Sequence, residues 1–105
     1  MASKKSPQQR ESILLEAERL TNQDRRETYG HPLDDYSRTA ALFNALFAHK
    51  LKEPFAAEDL QLTMVLVKLS RQIHMPKRDN LTDAAGYLNC IDLTQNERIR
   101  RESER

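Results

Sequence analysis

Two basic side chains in the most apolar stretch of the chain have a spacing that suits the binding of an anionic ligand. Lys68 and Arg71 are three residues apart, so they are neighbours on one side of a helix. They lie beside Met64 and Val67, and a positive charge packed on such a face needs a carboxylate or an anionic ligand. In the alternative interpretation both side chains extend along the surface and place their charges in water. Lys68 and Arg71 are therefore candidate ligands for phosphate.

An acid and a tyrosine follow on the next predicted helix. Asp83 precedes Tyr87 by four residues, and its carboxylate could pair with one of the two cations or hold a divalent metal. Gly86 indicates close approach of a neighbouring backbone or ligand, because glycine destabilises a helix interior by about 1 kcal/mol relative to alanine, and we favour helix packing as its cause. Cys90 is predicted to be a small buried apolar residue, since the sequence identifies no partner base for a nucleophile.

A third group of polar residues lies between the first two predicted helices. The segment Asn22 to Pro32 has no apolar periodicity and is predicted to be an ordered connection or a short broken turn. Within it Arg26, Tyr29 and His31 are good partners for phosphate and base rings. The alternative is that Tyr29 packs onto the helices. Asp35, at the start of the following helix, suits a capping role as well as a metal.

Two acids open the third predicted helix. Glu58 and Asp59 lie where negative charge is favoured by the helix dipole, which explains at least one of them. The other stays available as a ligand. The predicted metal-binding residues are thus Glu58 and Asp83, with Asp35 as a third, and the predicted cofactor is magnesium.

These residues require a scaffold, and the composition predicts an all-α one. The 105 residues are 38% hydrophobic and 31% charged with only two glycines, which favours helices with polar outer faces in a compact, four-helix bundle-like domain. The predicted helices run from Ser6-Pro7 to about Leu20 or Thr21, from Leu33 to about Leu51, from Ala56 or Ala57 to His74 or Met75, and onward from Asn80 or Thr82. Residues 1–6 are predicted to be flexible, 7–95 to form one domain, and 96–105 to be a charged helical extension or a disordered tail.

The third helix is predicted to be the central one. It carries two apolar stripes, the first made of Leu62, Val65, Leu66, Leu69 and Ile73 and the second of Leu60, Met64 and Val67. A helix that is apolar on two sides is normally surrounded by other helices. The two stripes exceed what a four-helix chain of this length needs to bury, so we expect a homodimer or a larger assembly.

Charge and cysteine content exclude several classes of protein. A formal net charge of +1 disfavours a binder of duplex nucleic acid, which depends on many cationic contacts to phosphate. Cys90 is the single cysteine, so the sequence allows neither an intramolecular disulfide nor a cysteine-based zinc cage. No apolar run approaches the roughly 20 residues that cross a bilayer, and Met1 to Gln9 lacks the apolar core of a signal peptide. We expect a cytoplasmic protein without a membrane partner.

The order of these motifs resembles an uncharacterised family of small helical proteins found in tailed phages and prophages. The resemblance covers about Ile13 to Leu93 and implies a helical phage-type protein. It is carried by Arg26-Glu27-Thr28-Tyr29-Gly30-His31-Pro32, Asp35-Tyr36-Ser37-Arg38-Thr39-Ala40, Ala57-Glu58-Asp59, Lys68 with Arg71, and Asp83-Ala84-Ala85-Gly86-Tyr87.

More distantly, the chain is similar to phage nucleotide-modification-associated domains and to MazG-like all-α nucleotide pyrophosphohydrolases. The latter resemblance implies helices with paired Glu-x-x-Glu and Glu-x-x-Asp acids that hold magnesium over a diphosphate. In this sequence Gln61 follows Glu58, and Gly86 follows Asp83, at the position of the second acid. Half of each pair is absent, which argues against a standard two-metal hydrolysis site.

Three functions stay open at this point. The first is a nucleotide-handling enzyme, the second is a module that sequesters a host signalling nucleotide as an anti-defence protein, and the third is a structural or adaptor domain with an internal salt-bridge network. We favour binding of a nucleotide-type ligand, with hydrolysis undecided. The predicted ligand-binding residues are Arg26, Tyr29, His31, Lys68, Arg71, Asp83 and Tyr87.

Overall fold

The computed structural model describes residues 10–105, and for Asp24 and Arg25 it describes the backbone alone. The helices are α1 (Ile13–Arg19), α2 (Arg25–Tyr29), α3 (Pro32–Phe47), α4 (Ala57–His74) and α5 (Arg78–Ser103). A π-helical turn, Leu20–Asp24, joins α1 to α2, and a 3-10 turn, Ala48–Lys50, ends α3. The described residues thus form four helical stretches without a strand, which confirms the all-α prediction.

The first helix begins at Ile13. The Ser12 hydroxyl accepts a hydrogen bond from the Leu15 N–H at 3.1 Å and so caps the helix start. Residues 10–12 are not helical. The predicted start at Ser6-Pro7 and the predicted flexible segment 1–6 lie outside the described residues.

The segment Asn22 to Pro32 is largely helical, so the prediction of a connection is wrong. The side chains of residues 26–29 on α2 are all exposed. A solvated helix of this kind has no apolar stripe, so hydrophobic periodicity cannot detect it. Gly30 then ends α2 with a φ of 80°, and its N–H donates to the Arg26 carbonyl at 2.9 Å.

A sharp helix start follows this turn. His31 Nδ1 accepts a hydrogen bond from the Leu33 N–H at 3.0 Å, which makes His31 the N-cap of α3. Pro32 occupies the first helical position, where its missing N–H has no partner to lose. The predicted second helix, Leu33 to about Leu51, corresponds to α3 and the 3-10 turn.

Helices α4 and α5 form an antiparallel pair at the centre of the fold. Gln61 Nε2 donates to Thr94 Oγ1 at 2.7 Å, and both side chains are fully buried. The predicted third helix coincides with α4. The predicted fourth helix starts too late, since α5 begins at Arg78, and the Asn80 side chain inside its first turn bonds to Gln72 Oε1.

The π-helical turn after α1 packs against α5 at Gly86. A Cβ atom on Gly86 would lie 3.4 Å from Thr21 Cγ2, so the neighbour at this position is a packed side chain and not a backbone or a ligand. The Thr21 hydroxyl donates to the Ala17 carbonyl at 2.9 Å and accepts from Asn89 Nδ2 at 2.7 Å. Cys90, one turn further along α5, is buried as predicted.

The charged end of the chain is helical. Helix α5 continues to Ser103, and Arg101 donates two hydrogen bonds to the Asp34 carboxylate, at 2.8 and 2.9 Å. Arg98 of the same segment pairs with Glu58 of α4. Within residues 10–105 no helix is both long and apolar enough to cross a membrane.

Within the described chain the central helix is not surrounded on all sides, and cover by a second copy stays a prediction. Leu60 and Val65 are buried, whereas Leu62, Leu66, Leu69 and Ile73 are exposed. The buried apolar residues of the described chain are Ala17, Leu33, Ala40, Ala57, Leu60, Val65, Tyr87 and Cys90. Most of the first stripe therefore lies outside the core.

Candidate functional site

An open cleft of about 660 Å³ lies where α2, α3, α4 and α5 meet. All three tyrosines of the sequence contribute to its walls. Its lining residues are Thr28 and Tyr29 from α2, Asp35, Tyr36 and Thr39 from α3, Met64 from α4, and Tyr87 from α5.

Local structure explains why α3 presents three residues to the cleft. Asp35 and Thr39 are four residues apart and so lie on one side of the helix, with Tyr36 beside them. The Thr39 hydroxyl donates to the Asp35 carbonyl at 3.1 Å. Because Gly30 ends α2 just before α3 begins, Tyr29 reaches the wall of the same cleft.

Two of the tyrosines pack edge to face. The ring centroids of Tyr36 and Tyr87 are 6.3 Å apart, with an interplanar angle of 90°. Burial, followed by the proximity of Tyr87, raises the pKa of Tyr36 far above its usual value. Tyr36 therefore stays a neutral phenol. Tyr29 differs from both, because it is 56% exposed at the rim.

Asp35 brings a negative charge to the cleft wall. Its Oδ1 lies 3.7 Å from Arg38 Nη2, a long contact to a side chain that is largely exposed. An ion pair of this geometry in water is weak. The Asp35 carboxylate is thus able to accept hydrogen bonds from a ligand.

The predicted pair of opposite charges is present one helical turn from the cleft. Lys68 Nζ lies 3.0 Å from Asp83 Oδ2, and the two side chains are 14% and 24% exposed. Lys68 follows Met64 by four residues, and Asp83 precedes Tyr87 by four. The ion pair therefore joins α4 to α5 about 6 Å along both helices from the cleft.

The other predicted basic residues do not converge on this point. Arg71 is exposed and lies on the wall of a separate cavity of about 280 Å³, together with His74 and Lys77. Arg26 is exposed on α2, three residues before Tyr29. His31 caps α3, and burial, followed by the positive charge of Arg26, lowers its pKa.

The predicted magnesium ligands are far apart. Glu58 accepts hydrogen bonds from both Nη atoms of Arg98, which lowers the pKa of Glu58. It lies ten residues, or about 15 Å along α4, from the Lys68 that pairs with Asp83. Within the described part of the chain no three His, Cys, Asp or Glu side chains are grouped to hold a metal. The pair of Glu58 and Asp83 does not fit a magnesium ion.

The second acid at the start of α4 has a structural role. Asp59 Oδ2 accepts a hydrogen bond from the Ala56 N–H at 2.8 Å and caps the helix. Gln61, which replaces the second acid of the hydrolase pattern, is fully buried against Thr94. Asp59 thus caps α4, Gln61 lies in the core, and neither side chain lines the cleft.

Sequence reasoning missed four of the cleft residues. Thr28, Tyr36, Thr39 and Met64 were not singled out as ligand contacts, and Asp35 was considered only as a metal ligand or a cap. The four-residue spacing of Asp35 and Thr39 beside a tyrosine was the available signal.

Comparison with known proteins identifies the family. The chain is 34% identical over 93 residues to the Gene 55 protein of Mycobacterium phage D29, which covers 88% of this chain and 59% of that protein. It is 32% identical over 85 residues to the Gene 55 protein of Mycobacterium phage L5, which covers 80% of this chain and 53% of that protein. The chain thus spans little more than half the length of these curated relatives.

No solved structure matches the chain significantly. A family model, described as a domain of unknown function (DUF6378), matches residues 12–95. That range includes all seven residues of the cleft and both members of the Lys68 and Asp83 pair. The chain therefore belongs to the DUF6378 family.

Proposed function

We propose that this protein binds a small planar ligand of the nucleoside or nucleotide type in the cleft between α2, α3, α4 and α5, and that it holds this ligand without hydrolysing it. The observation that carries the proposal is the convergence of all three tyrosines and Asp35 on one cleft. Its volume, about 660 Å³, lies within the roughly 300–1,000 Å³ that is typical of small-molecule sites.

The shape of the cleft suits a flat ring. Tyr29 is a large aromatic side chain at the rim, and base rings stack on such side chains with little dependence on base identity. Tyr36 and Tyr87 are fixed by their edge-to-face contact, so they can form a rigid floor beside Met64. A rigid floor and an exposed stacking face favour a planar ligand over a flexible chain.

The polar groups suit a ring that carries N–H donors. The Asp35 carboxylate can accept from an amino group or a ring N–H, and a bond to a charged acceptor is stronger than one between neutral groups. The Thr39 hydroxyl, which donates to the Asp35 carbonyl, can accept a further hydrogen bond from the ligand next to it. This combination matches the edge of a nucleobase.

The phosphate of a nucleotide would have to contact cations at the rim. Lys68 is paired with Asp83, so we assign this role to Arg26, three residues before Tyr29, and to Arg38, which is 66% exposed beside Asp35. Both lie in water, where phosphate contacts contribute modest affinity. We therefore expect the base and sugar to contribute more to binding than the phosphates.

The acidic residues that would have to hold magnesium argue against hydrolysis. The MazG-like mechanism needs paired acids around magnesium, whereas here Glu58 pairs with Arg98 and Gln61 is buried in the core. Binding without turnover is the behaviour of a sequestering protein. In a family whose curated relatives include phage proteins, we propose a host signalling nucleotide as the ligand that is sequestered.

A thermal-shift screen tests this function. The ligands are nucleobases, nucleosides, nucleoside mono- and triphosphates, cyclic dinucleotides and ADP-ribose derivatives, each with and without magnesium, and hits are incubated and analysed for products. We expect a rise in Tm that does not require magnesium and leaves the ligand intact. Loss of the ligand that depends on magnesium would show an enzyme instead.

The adaptor function is the second candidate because many charged side chains pair within the chain. Arg98 joins α5 to α4, Arg101 joins α5 to Asp34 of α3, and Lys68 joins α4 to Asp83 of α5. Such a network stabilises a scaffold and needs no ligand. The absence of any Tm shift across the whole screen would favour this candidate.

A further inference from the structure

The outer face of α4 carries a row of large aliphatic side chains that the rest of the described chain leaves uncovered. Leu62, Leu66, Leu69 and Ile73 are 52%, 63%, 47% and 86% exposed. They are separated by four, three and four residues, so they form a straight line along one face of the helix. This is the spacing by which the helices of a coiled coil pack together.

The row is large compared with the core of the same chain. Leu33, Leu60 and Val65 are the large aliphatic side chains among the buried residues of the described chain. The thinnest dimension of the molecule, 19 Å, corresponds to about two helix diameters. Its radius of gyration is 16.1 Å, against about 13 Å for a compact domain of about 100 residues. The chain is thus flatter and less compact than a domain of this length usually is, and the apolar row of α4 lies open on its surface.

We propose that a second copy of this chain covers the row, with the α4 helices of the two copies packed antiparallel about a two-fold axis between Leu66 and Leu69. In this register Leu62 lies opposite Ile73 of the second copy, and Leu66 lies opposite Leu69. The contact is isologous, because each copy presents the same four residues to the other.

Charge complementarity selects the antiparallel arrangement. The first turn of α4 carries Asp59 next to Glu58, whose charge is balanced by Arg98, whereas the last turn and the residues after it carry His74 and Lys77. Antiparallel packing brings the acidic end of each helix towards the basic end of the other. Parallel packing would instead oppose like charges and would align the two helix dipoles.

The row is also free of charge along its length. Between Leu62 and Ile73 the charged residues are Lys68, which points to Asp83 of α5, and Arg71, which lies about half a turn away from the row. Thr63 and Ser70 flank the row on one side, and their small side chains allow close approach of a second helix. A homodimer therefore buries the row without burying an unpaired charge.

The mass in solution, measured by size-exclusion chromatography with light scattering, is the first test. We expect twice the chain mass of 12.2 kDa for the wild type and a single chain mass for Leu66→Glu. Leu14→Glu is the matched control, because Leu14 is 75% exposed but lies on α1. We expect this control to stay dimeric, and circular dichroism should show that both variants keep their helices.

Disulfide trapping tests the direction of packing with milder substitutions. The double variant Leu62→Cys with Ile73→Cys should form a dimer linked between chains, because these positions face each other. Leu62→Cys alone should not, since the two copies of residue 62 would lie about 16 Å apart, beyond the roughly 7 Å Cα separation that a disulfide spans. Cys90 is buried and should not compete.

Three outcomes would overturn the proposal. They are a monomeric wild type at high micromolar concentration, dissociation of Leu14→Glu to the same extent as Leu66→Glu, and cross-linking of the single Leu62→Cys variant. The last of these would show a parallel contact or another interface.

Discussion

Lys68 of α4 and Asp83 of α5 form an ion pair, with 3.0 Å between Nζ and Oδ2, one helical turn away from the three-tyrosine cleft. The sequence singled out Lys68 as a ligand for phosphate. In the structure the charge of Lys68 is balanced by Asp83. The cleft itself is lined by Met64, one turn from Lys68 on α4, and by Tyr87, one turn from Asp83 on α5. The ion pair therefore fixes the relative position of two cleft walls.

Breaking this pair from one side should destabilise the fold. Lys68→Met removes the cation opposite a mostly buried carboxylate, and we expect the free energy of unfolding to fall by about 1–3 kcal/mol, below the ~3–5 kcal/mol of a completely buried pair. The double variant Lys68→Met with Asp83→Leu should lose less than the sum of the two single variants. Urea unfolding followed by circular dichroism measures each value.

Arg100→Met is the matched control for these variants of the Lys68 and Asp83 pair, because Arg100 pairs with Glu97 and Glu104 on the exposed face of α5. We expect it to change the free energy of unfolding much less than Lys68→Met does, because an ion pair between exposed side chains contributes little. A loss for Lys68→Met no larger than that of the control would contradict the assigned role.

The second prediction concerns Gln61 and Thr94. If Gln61 is a structural residue, replacing both partners by apolar residues of similar shape, Gln61→Leu with Thr94→Val, should be close to neutral. Gln61→Glu should cost about 3–5 kcal/mol, since it buries a charge between α4 and α5. Thermal unfolding with and without magnesium compares these variants. Magnesium-dependent stabilisation of Gln61→Glu, with release of pyrophosphate from nucleotides, would instead favour a degenerate hydrolase site.

The third prediction is a loss of stability as the pH falls through the titration range of His31. Burial lowers the pKa of His31 in the folded state, and its neutral Nδ1 accepts the Leu33 N–H that starts α3. The unfolded chain binds the proton more readily, so the contribution of His31 is complete above the ordinary pKa of 6.5 and is lost as the pH falls from there to the lower folded value.

The pH dependence of Tm between neutral and mildly acidic pH measures this effect. His31→Asn can still accept the bond from Leu33 and cannot titrate, so its Tm should vary less over the same range. An unchanged pH profile in this variant would show that other groups cause the loss of stability.

Much of the fold was predictable because most helices pack with an apolar face. The limits of α4 follow from Pro54 and Pro76 and from the residues between them, and α3 follows from Tyr36, Ala40 and Phe43. Helix α2 was missed, since its described side chains are exposed and carry no periodic signal. The four exposed residues of α4 were expected to be covered, because a sequence does not say which of two apolar stripes faces the same chain.

The candidate site was predictable only in part, because it depends on how helices are placed in space. The pairing of Lys68 with Asp83 was one of the alternatives that residue types and spacing left open, and Tyr29 and Tyr87 of the predicted ligand-binding residues line the cleft. The separation of Glu58 from Asp83 did not, since it depends on the antiparallel register of α4 and α5. Arg71 was grouped with Lys68 on spacing alone, and the structure places it on another cavity.

Ligand binding at the three-tyrosine cleft is tested most directly by intrinsic tyrosine fluorescence. The chain has no tryptophan, and all three of its tyrosines line the cleft, so the emission of the whole protein reports on this site. The experiment titrates nucleosides and nucleotides into the wild type, into Asp35→Asn, and into Asp92→Asn as a control at an exposed acid of α5.

We expect saturable quenching in the wild type and in Asp92→Asn, and at least about tenfold weaker binding in Asp35→Asn, which replaces a charged acceptor by a neutral amide. Tyr29→Phe should keep most of the affinity, because the ring that stacks is retained. Saturable quenching that is equally strong in Asp35→Asn, or no quenching by any nucleoside or nucleotide, would contradict the proposed site.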